Sequence, residues 1–173
     1  MNRRVRTYPF HLKEISEAGI FSGYASVFDV LDYYGDVIKP GAFTKTLAAW
    51  KKKDRLPPIL WQHNSTMPIG PHLEMVEDAK GLFVRGQLLI DVIDKAREAY
   101  WLLKNKVISG MSIGFDIFEG GATYDGKAGV WNLTDLDLWE NSLATFPANP
   151  AAQVEEVKSI LALGKLPAPS EFE

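Results

Sequence analysis

Apolar and polar positions alternate with a period of two through residues 108–117, so that Met111, Ile113, Phe115 and Ile117 fall on one side of a strand and Gly110, Ser112 and Gly114 on the other. A strand that buries four bulky side chains and presents one hydroxyl between two glycines is unusual, because glycine weakens strands and marks the close approach of another backbone. Upstream, residues 4–15 alternate loosely, Glu17-Ala18-Gly19 forms a turn, and Ile20–Phe28 returns as the second arm of an antiparallel hairpin. Residues 29–40 hold Asp29, Asp32, Asp36, Gly35 and Pro40 and predict a long irregular connection, solvated or facing a substrate; the aspartates lack the pattern of a calcium loop.

Phe43, Leu47 and Trp50 recur at helical spacing within 42–52, with Lys45 and Lys51 outside. Leu56-Pro57-Pro58 ends that helix, and Ile59–Asn64 reads as a short apolar strand closing on polar groups. Pro68-Ile69-Gly70-Pro71 is turn chemistry, and residues 73–89 form a hairpin with its tip at Glu77–Gly81. A second helix begins near Asp91 as N-cap, with Val92, Ala96, Ala99, Tyr100, Leu103 and Val107 on its apolar face, and runs into the Ser112 strand. Residues 119–129, with four glycines, predict a loop, and Val130–Ser142 a strand on which Leu136, Leu138 and Glu140 share one side. A last helix covers Ala151–Leu163 and a polar tail 164–173. The order predicts one domain over 1–163, mainly β with peripheral helices (α+β): a small, mostly antiparallel sheet or barrel of about six or seven strands surrounded by two or three helices.

Composition narrows the chemistry. With 46% hydrophobic residues the chain can build a sizeable core, and a net charge of -3 gives no general reason to expect nucleic-acid binding. No stretch is long and apolar enough to span a membrane, and Arg3, Arg4 and Arg6 lack the apolar run of a secretory signal, which predicts a cytoplasmic protein. The absence of cysteine excludes disulfides, thiolate catalysis and Cys-based zinc sites. His63 and His72 lack the i, i+4 pairing of a zinc hydrolase, so no metal or other cofactor is called for.

Ser112 is the candidate nucleophile. Gly110-Met111-Ser112-Ile113-Gly114 matches the G-x-S-x-G elbow of α/β-hydrolases, but His11, His63 and His72 all precede the serine, the reverse of that fold's order, and Ser112 lies inside a strand. His63 is the best-placed base, since it ends an apolar strand beside Gln62 and Asn64, whereas His11 and His72 read as surface residues. Glu140 is the candidate third member, projecting inward with Leu136 and Leu138; Asp116 is the fallback. The flat face at Gly110 and Gly114 offers a substrate strand a place to pair alongside.

Five segments, Phe21–Phe28, Gly35–Phe43, Leu60–Asn64 with Pro68-Ile69-Gly70, Ile108–Phe115 and Glu140–Pro150, together resemble, in order, the prohead (capsid maturation) protease family of tailed bacteriophages. That family is related in fold to the herpesvirus assemblins, serine proteases on a closed β-barrel ringed by helices. The resemblance implies His63 and Ser112 as the catalytic pair, with Glu140 where the phage family carries an acidic residue; assemblins use a second histidine there, which leaves His72 open. It further implies an endopeptidase acting in the host cytoplasm, inside the immature capsid. Its substrates would be a scaffolding protein or the scaffolding segment of the major capsid protein, and eventually itself. Assemblins dimerise, so a homodimer is admitted, with the 151–163 helix either at its interface or docked on its own barrel. The alternative is a non-catalytic capsid- or scaffold-binding module on the same barrel.

Overall fold

A computed structural model describes residues 4–8, 14–15 and 19–145, the first two segments by their backbone alone. The predicted 151–163 helix and the tail 164–173 lie outside the described residues. Among the described residues eleven strands and two helices follow in the order β1 (Arg4–Tyr8), β2 (Glu14–Ile15), β3 (Ile20–Val27), β4 (Asp36–Ile38), α1 (Thr44–Lys52), β5 (Pro58–Trp61), β6 (Asn64–Glu77), β7 (Gly81–Gln87), α2 (Asp94–Lys104), β8 (Gly110–Ile117), β9 (Ala122–Asp125), β10 (Val130–Leu133) and β11 (Leu136–Ala144).

Eight strands form one sheet in the order β1-β8-β11-β5-β6-β7-β3-β2, antiparallel except for the β11–β5 pair; β4, β10 and β9 form a second, smaller sheet. The large sheet curls until β8 and β1 approach β3, yet no ladder joins its two ends among the described residues. The mainly β architecture with outside helices stands, but the barrel expected to be closed is a curled, open one. Phe21, Ile59, Ile69, Val84, Met111, Ile113, Phe115, Leu138 and Leu143 pack with Phe43 and with Ala99, Tyr100 and Leu103 of α2 into one buried cluster.

Several elements differ from the sequence pattern for identifiable reasons. β1 pairs with β8, Thr7 opposite Ser112, and only β2 makes the hairpin with β3. Short strands occupy both stretches expected to be irregular: β4 within 29–40 pairs in parallel with β10, and β9 within 119–129 pairs with β10. Pro68–Pro71 lies within β6, where the register against β5 jumps between Leu60↔Pro68 and Trp61↔Asn64 and residues 65–67 loop out. Proline is tolerated at such an interruption because the ladder asks nothing of its missing N–H. α2 begins three residues after Asp91, at Asp94, and its N-cap is Ile93; Val92 and Val107, outside the helix, are exposed.

Candidate functional site

β8 and β11 build the centre of the site. Their antiparallel ladder sets Ser112 opposite Ser142 and Gly114 opposite Glu140, while Leu138 lies opposite Phe115 and Leu143 opposite Met111 on the core side. Between Leu138 and Glu140 the register slips by one residue, a β-bulge at Trp139. Without it, Glu140 would share the side of Leu136 and Leu138, as the alternation predicts. With it, Glu140 crosses to the side of Ser112. Glu140 thus stands on the face opposite to the one its parity indicates.

The bulge is held by α1. Thr46, fully buried, accepts the Leu138 N–H at 3.0 Å and donates to Asp137 Oδ1 at 3.3 Å, and the Trp50 indole N–H donates to the Leu138 carbonyl at 2.8 Å. Both backbone groups of Leu138 are thus satisfied by a helix at the point where β5 no longer runs beside β11.

Gly114 stands directly against the Glu140 side chain. A Cβ there would lie 2.4 Å from Glu140 Oε1 and 3.0 Å from its Cγ and Cδ, so the missing side chain makes room for the Glu140 carboxylate. Among the described residues β8 is flanked by β1 over Met111–Phe115 and by β11 over Gly110–Ile117.

His63 stands in the two-residue turn between Trp61 and Asn64, which are ladder partners. Gln62 has φ 50° and His63 φ 59°, a left-handed pair that hairpin turns normally fill with Asn and Gly. The turn is tied to β11: the Gln62 N–H donates to the Leu143 carbonyl at 3.0 Å, the His63 N–H to Ser142 Oγ at 3.0 Å, and Gln62 Nε2 to Thr145 Oγ1 at 2.6 Å. His63 Nδ1 lies 2.6 Å from Glu140 Oε1, with Glu140 nearly buried, and Ser142 Oγ donates to Glu140 Oε2 at 2.6 Å. An ionised Glu140 fixes the proton on Nδ1, leaving Nε2 as the ring's acceptor; that atom is buried with no hydrogen-bond partner. Ser112 is fully buried and lies opposite Ser142 across the ladder. A cleft of about 200 Å³ opens beside them, lined by Pro58, Leu60, His63, Ser65, Gly114, Trp139 and Glu140.

His72, read from sequence as a surface residue, is buried in β6. The Pro57 carbonyl, 2.7 Å away, can only accept, so Nδ1 carries the proton and Nε2 accepts from Asn141 Nδ2 at 3.0 Å. Burial pushes its pKa down to about 4, against the opposing pull of the Pro57 bond. Asn141 lies opposite Ile113 and also contacts Met111 Sδ at 3.2 Å, so His72 belongs to the core side of β11 and not to the His63 cluster. A larger groove of about 810 Å³ between α1 and β6 is lined in part by His72 but by none of His63, Ser112 or Glu140. Asp116 accepts from the Trp139 indole at 3.2 Å and pairs across the ladder with Asp137. Of the aspartates in 29–40, Asp32 Oδ1 accepts the Tyr34 and Asp36 N–H groups and Asp29 pairs with Lys39. The sequence offered no signal for Ser142: only the register shows that its hydroxyl meets Glu140 and the His63 backbone.

A family model described as caudovirus prohead serine protease matches residues 7–165. The prohead protease of Enterobacteria phage HK97 is 35% identical over 162 residues, covering 90% of this chain and 70% of that protein, and the prohead protease of Escherichia phage T5 is 28% identical over 167 residues, covering 91% and 76%. A capsid polyprotein of Pseudomonas phage PAJU2 is 37% identical over 110 residues, which are 60% of this chain and 16% of the polyprotein. The solved structure of the bacteriophage T4 capsid assembly protease superposes with a TM-score of 0.61 at 10% identity, covering 83% of this chain and 98% of that one, a likeness of fold.

Proposed function

The chain belongs to the caudovirus prohead serine proteases, and on that premise we propose that Ser112 is its nucleophile, His63 its general base and Glu140 the group that orients the base. The observation that carries the reading is the 2.6 Å contact between His63 Nδ1 and Glu140, which leaves Nε2 as the nitrogen able to take a proton. Ser112 Oγ attacks the scissile carbonyl as its proton passes to Nε2, and the resulting imidazolium is stabilised by Glu140. The proton then goes to the leaving amine, and water repeats the sequence on the acyl-enzyme. In this reading Nε2 is the acceptor of the Ser112 proton, a bond of the kind that tightens on substrate binding.

The substrates in this reading are the scaffolding protein or scaffolding segment of the major capsid protein, and the chain itself, cut within the immature capsid in the host cell. The PAJU2 relative supports it: there a segment like this chain is part of a capsid polyprotein. The test is co-expression of this chain, wild type and Ser112→Ala, with the major capsid protein of its own phage, followed by mass analysis of both. Wild type removes a capsid segment and trims itself; Ser112→Ala, still folded, does neither. Cleavage by Ser112→Ala would take the nucleophile role from Ser112.

A further inference from the structure

We propose that Ser142 is a positioning residue of this site, whose hydroxyl locks the Glu140 carboxylate and the His63 turn into one geometry. The inference rests on the triad reading above and assigns a role to a residue outside the triad.

The hydroxyl's orientation follows from its partners. A backbone N–H can only donate and a carboxylate oxygen only accept, so Ser142 Oγ accepts from the His63 N–H at 3.0 Å and gives its proton to Glu140 Oε2 at 2.6 Å. Glu140 then receives one bond on each oxygen, from His63 on Oε1 and from Ser142 on Oε2. Two donors on opposite oxygens fix the plane of a carboxylate that one donor would leave free to turn about its last torsion. The same hydroxyl holds the backbone of His63, whose φ of 59° persists only where its surroundings determine it. Ser142 therefore reaches the imidazole by two routes, through the carboxylate and through the turn.

A serine that merely fills a small space in a tightly packed ladder would be replaced by alanine at little cost. Both bonds of this fully buried side chain go instead to site residues. Nor is Ser142 a second nucleophile, since its proton is committed to Glu140 and not to a ring nitrogen of His63.

The test uses the full chain and two readouts. In the Ser112→Ala background, which prevents self-cleavage, NMR of the histidine ring protons follows His63 Nδ1–H, strongly deshielded by its short charge-assisted bond. The His72 Nδ1–H on the Pro57 carbonyl serves as an internal reference for an intact fold. Adding Ser142→Ala is expected to move or broaden the His63 resonance and leave that of His72 in place. With Ser112 restored, on a peptide spanning the capsid cleavage site mapped by co-expression, Ser142→Ala lowers kcat by about 10- to 100-fold, the loss of one hydrogen bond to a charged group, with KM unchanged. Ser142→Cys keeps the shape with a weaker donor, gives a smaller loss of the same kind, and is the variant read if the alanine variant does not fold. An unmoved His63 resonance, or a wild-type kcat, overturns the inference. Cleavage by Ser112→Ala would instead sink the triad reading, and the resonance experiment, which needs no turnover, still decides whether Ser142 orders the His63–Glu140 pair.

Discussion

A single methyl group at position 114 probes how closely the site is packed. Alanine there would put its Cβ 2.4 Å from Glu140 Oε1, the end of a side chain that can give way, so the protein folds and the carboxylate shifts. Gly114→Ala is expected to lower cleavage about 100-fold, the cost of a misplacement on the order of 1 Å, with little change in the thermal midpoint. Loss of stability with activity per folded molecule intact would show that Gly114 serves packing alone. At this scale the sequence singled out His63 and Ser112 as candidates because each sits in a short motif, one at the end of an apolar strand and the other between glycines. Glu140 was chosen as a candidate by counting alternate positions, a count that the bulge at Trp139 inverts. Ser142 was not legible, since nothing in Asn141-Ser142-Leu143 shows what stands across the ladder.

Among elements, α1 has the most specific task. Thr46 replaces a missing ladder partner for Leu138 N–H, so Thr46→Val, which keeps the shape and removes the acceptor, leaves a buried N–H unpaired at a cost of about 1–3 kcal/mol. The bulge then relaxes and cleavage falls with it; a urea titration and the capsid co-expression assay on the same variant read the two effects, and unchanged stability would rule out the tether. Helical spacing put Phe43, Leu47 and Trp50 on the buried face of this segment but passed over Thr46, whose burial depends on β11. β4 and β9 were hidden for a related reason. Strands of three and four residues carry too little alternation to register, and they exist because they pair with β10.

For the whole molecule, the buried His72 sets a pH dependence of stability. Its pKa in the folded state is about 4, below the ordinary 6.5, so between those values the unfolded chain binds more protons than the folded one. Stability is unaffected by this group above pH 6.5 and falls as pH drops toward 4, by at most about 3 kcal/mol. His72→Gln, which can still donate to Pro57 and accept from Asn141, should flatten that part of the curve in urea midpoints measured from pH 7 to pH 4. An unchanged slope would mean that other groups cause it. The mainly β class and the outer helices were legible at this scale from hydrophobic spacing, whereas the strand order was not, because the sheet joins distant segments: β8 lies between β1 and β11, and β11 between β8 and β5.

That strand order has a consequence for how the protein is made. The proposed base, nucleophile and orienting acid leave the ribosome in the order His63, Ser112, Glu140, and Glu140 with Ser142 lies on the strand that joins the other two. At about 5–20 residues per second, a chain that already displays Ser112 waits seconds for its carboxylate. Until β11 pairs with β5 and β8, the proposed base has no carboxylate to align it, so the growing chain is held inactive at least until its last described strand is made.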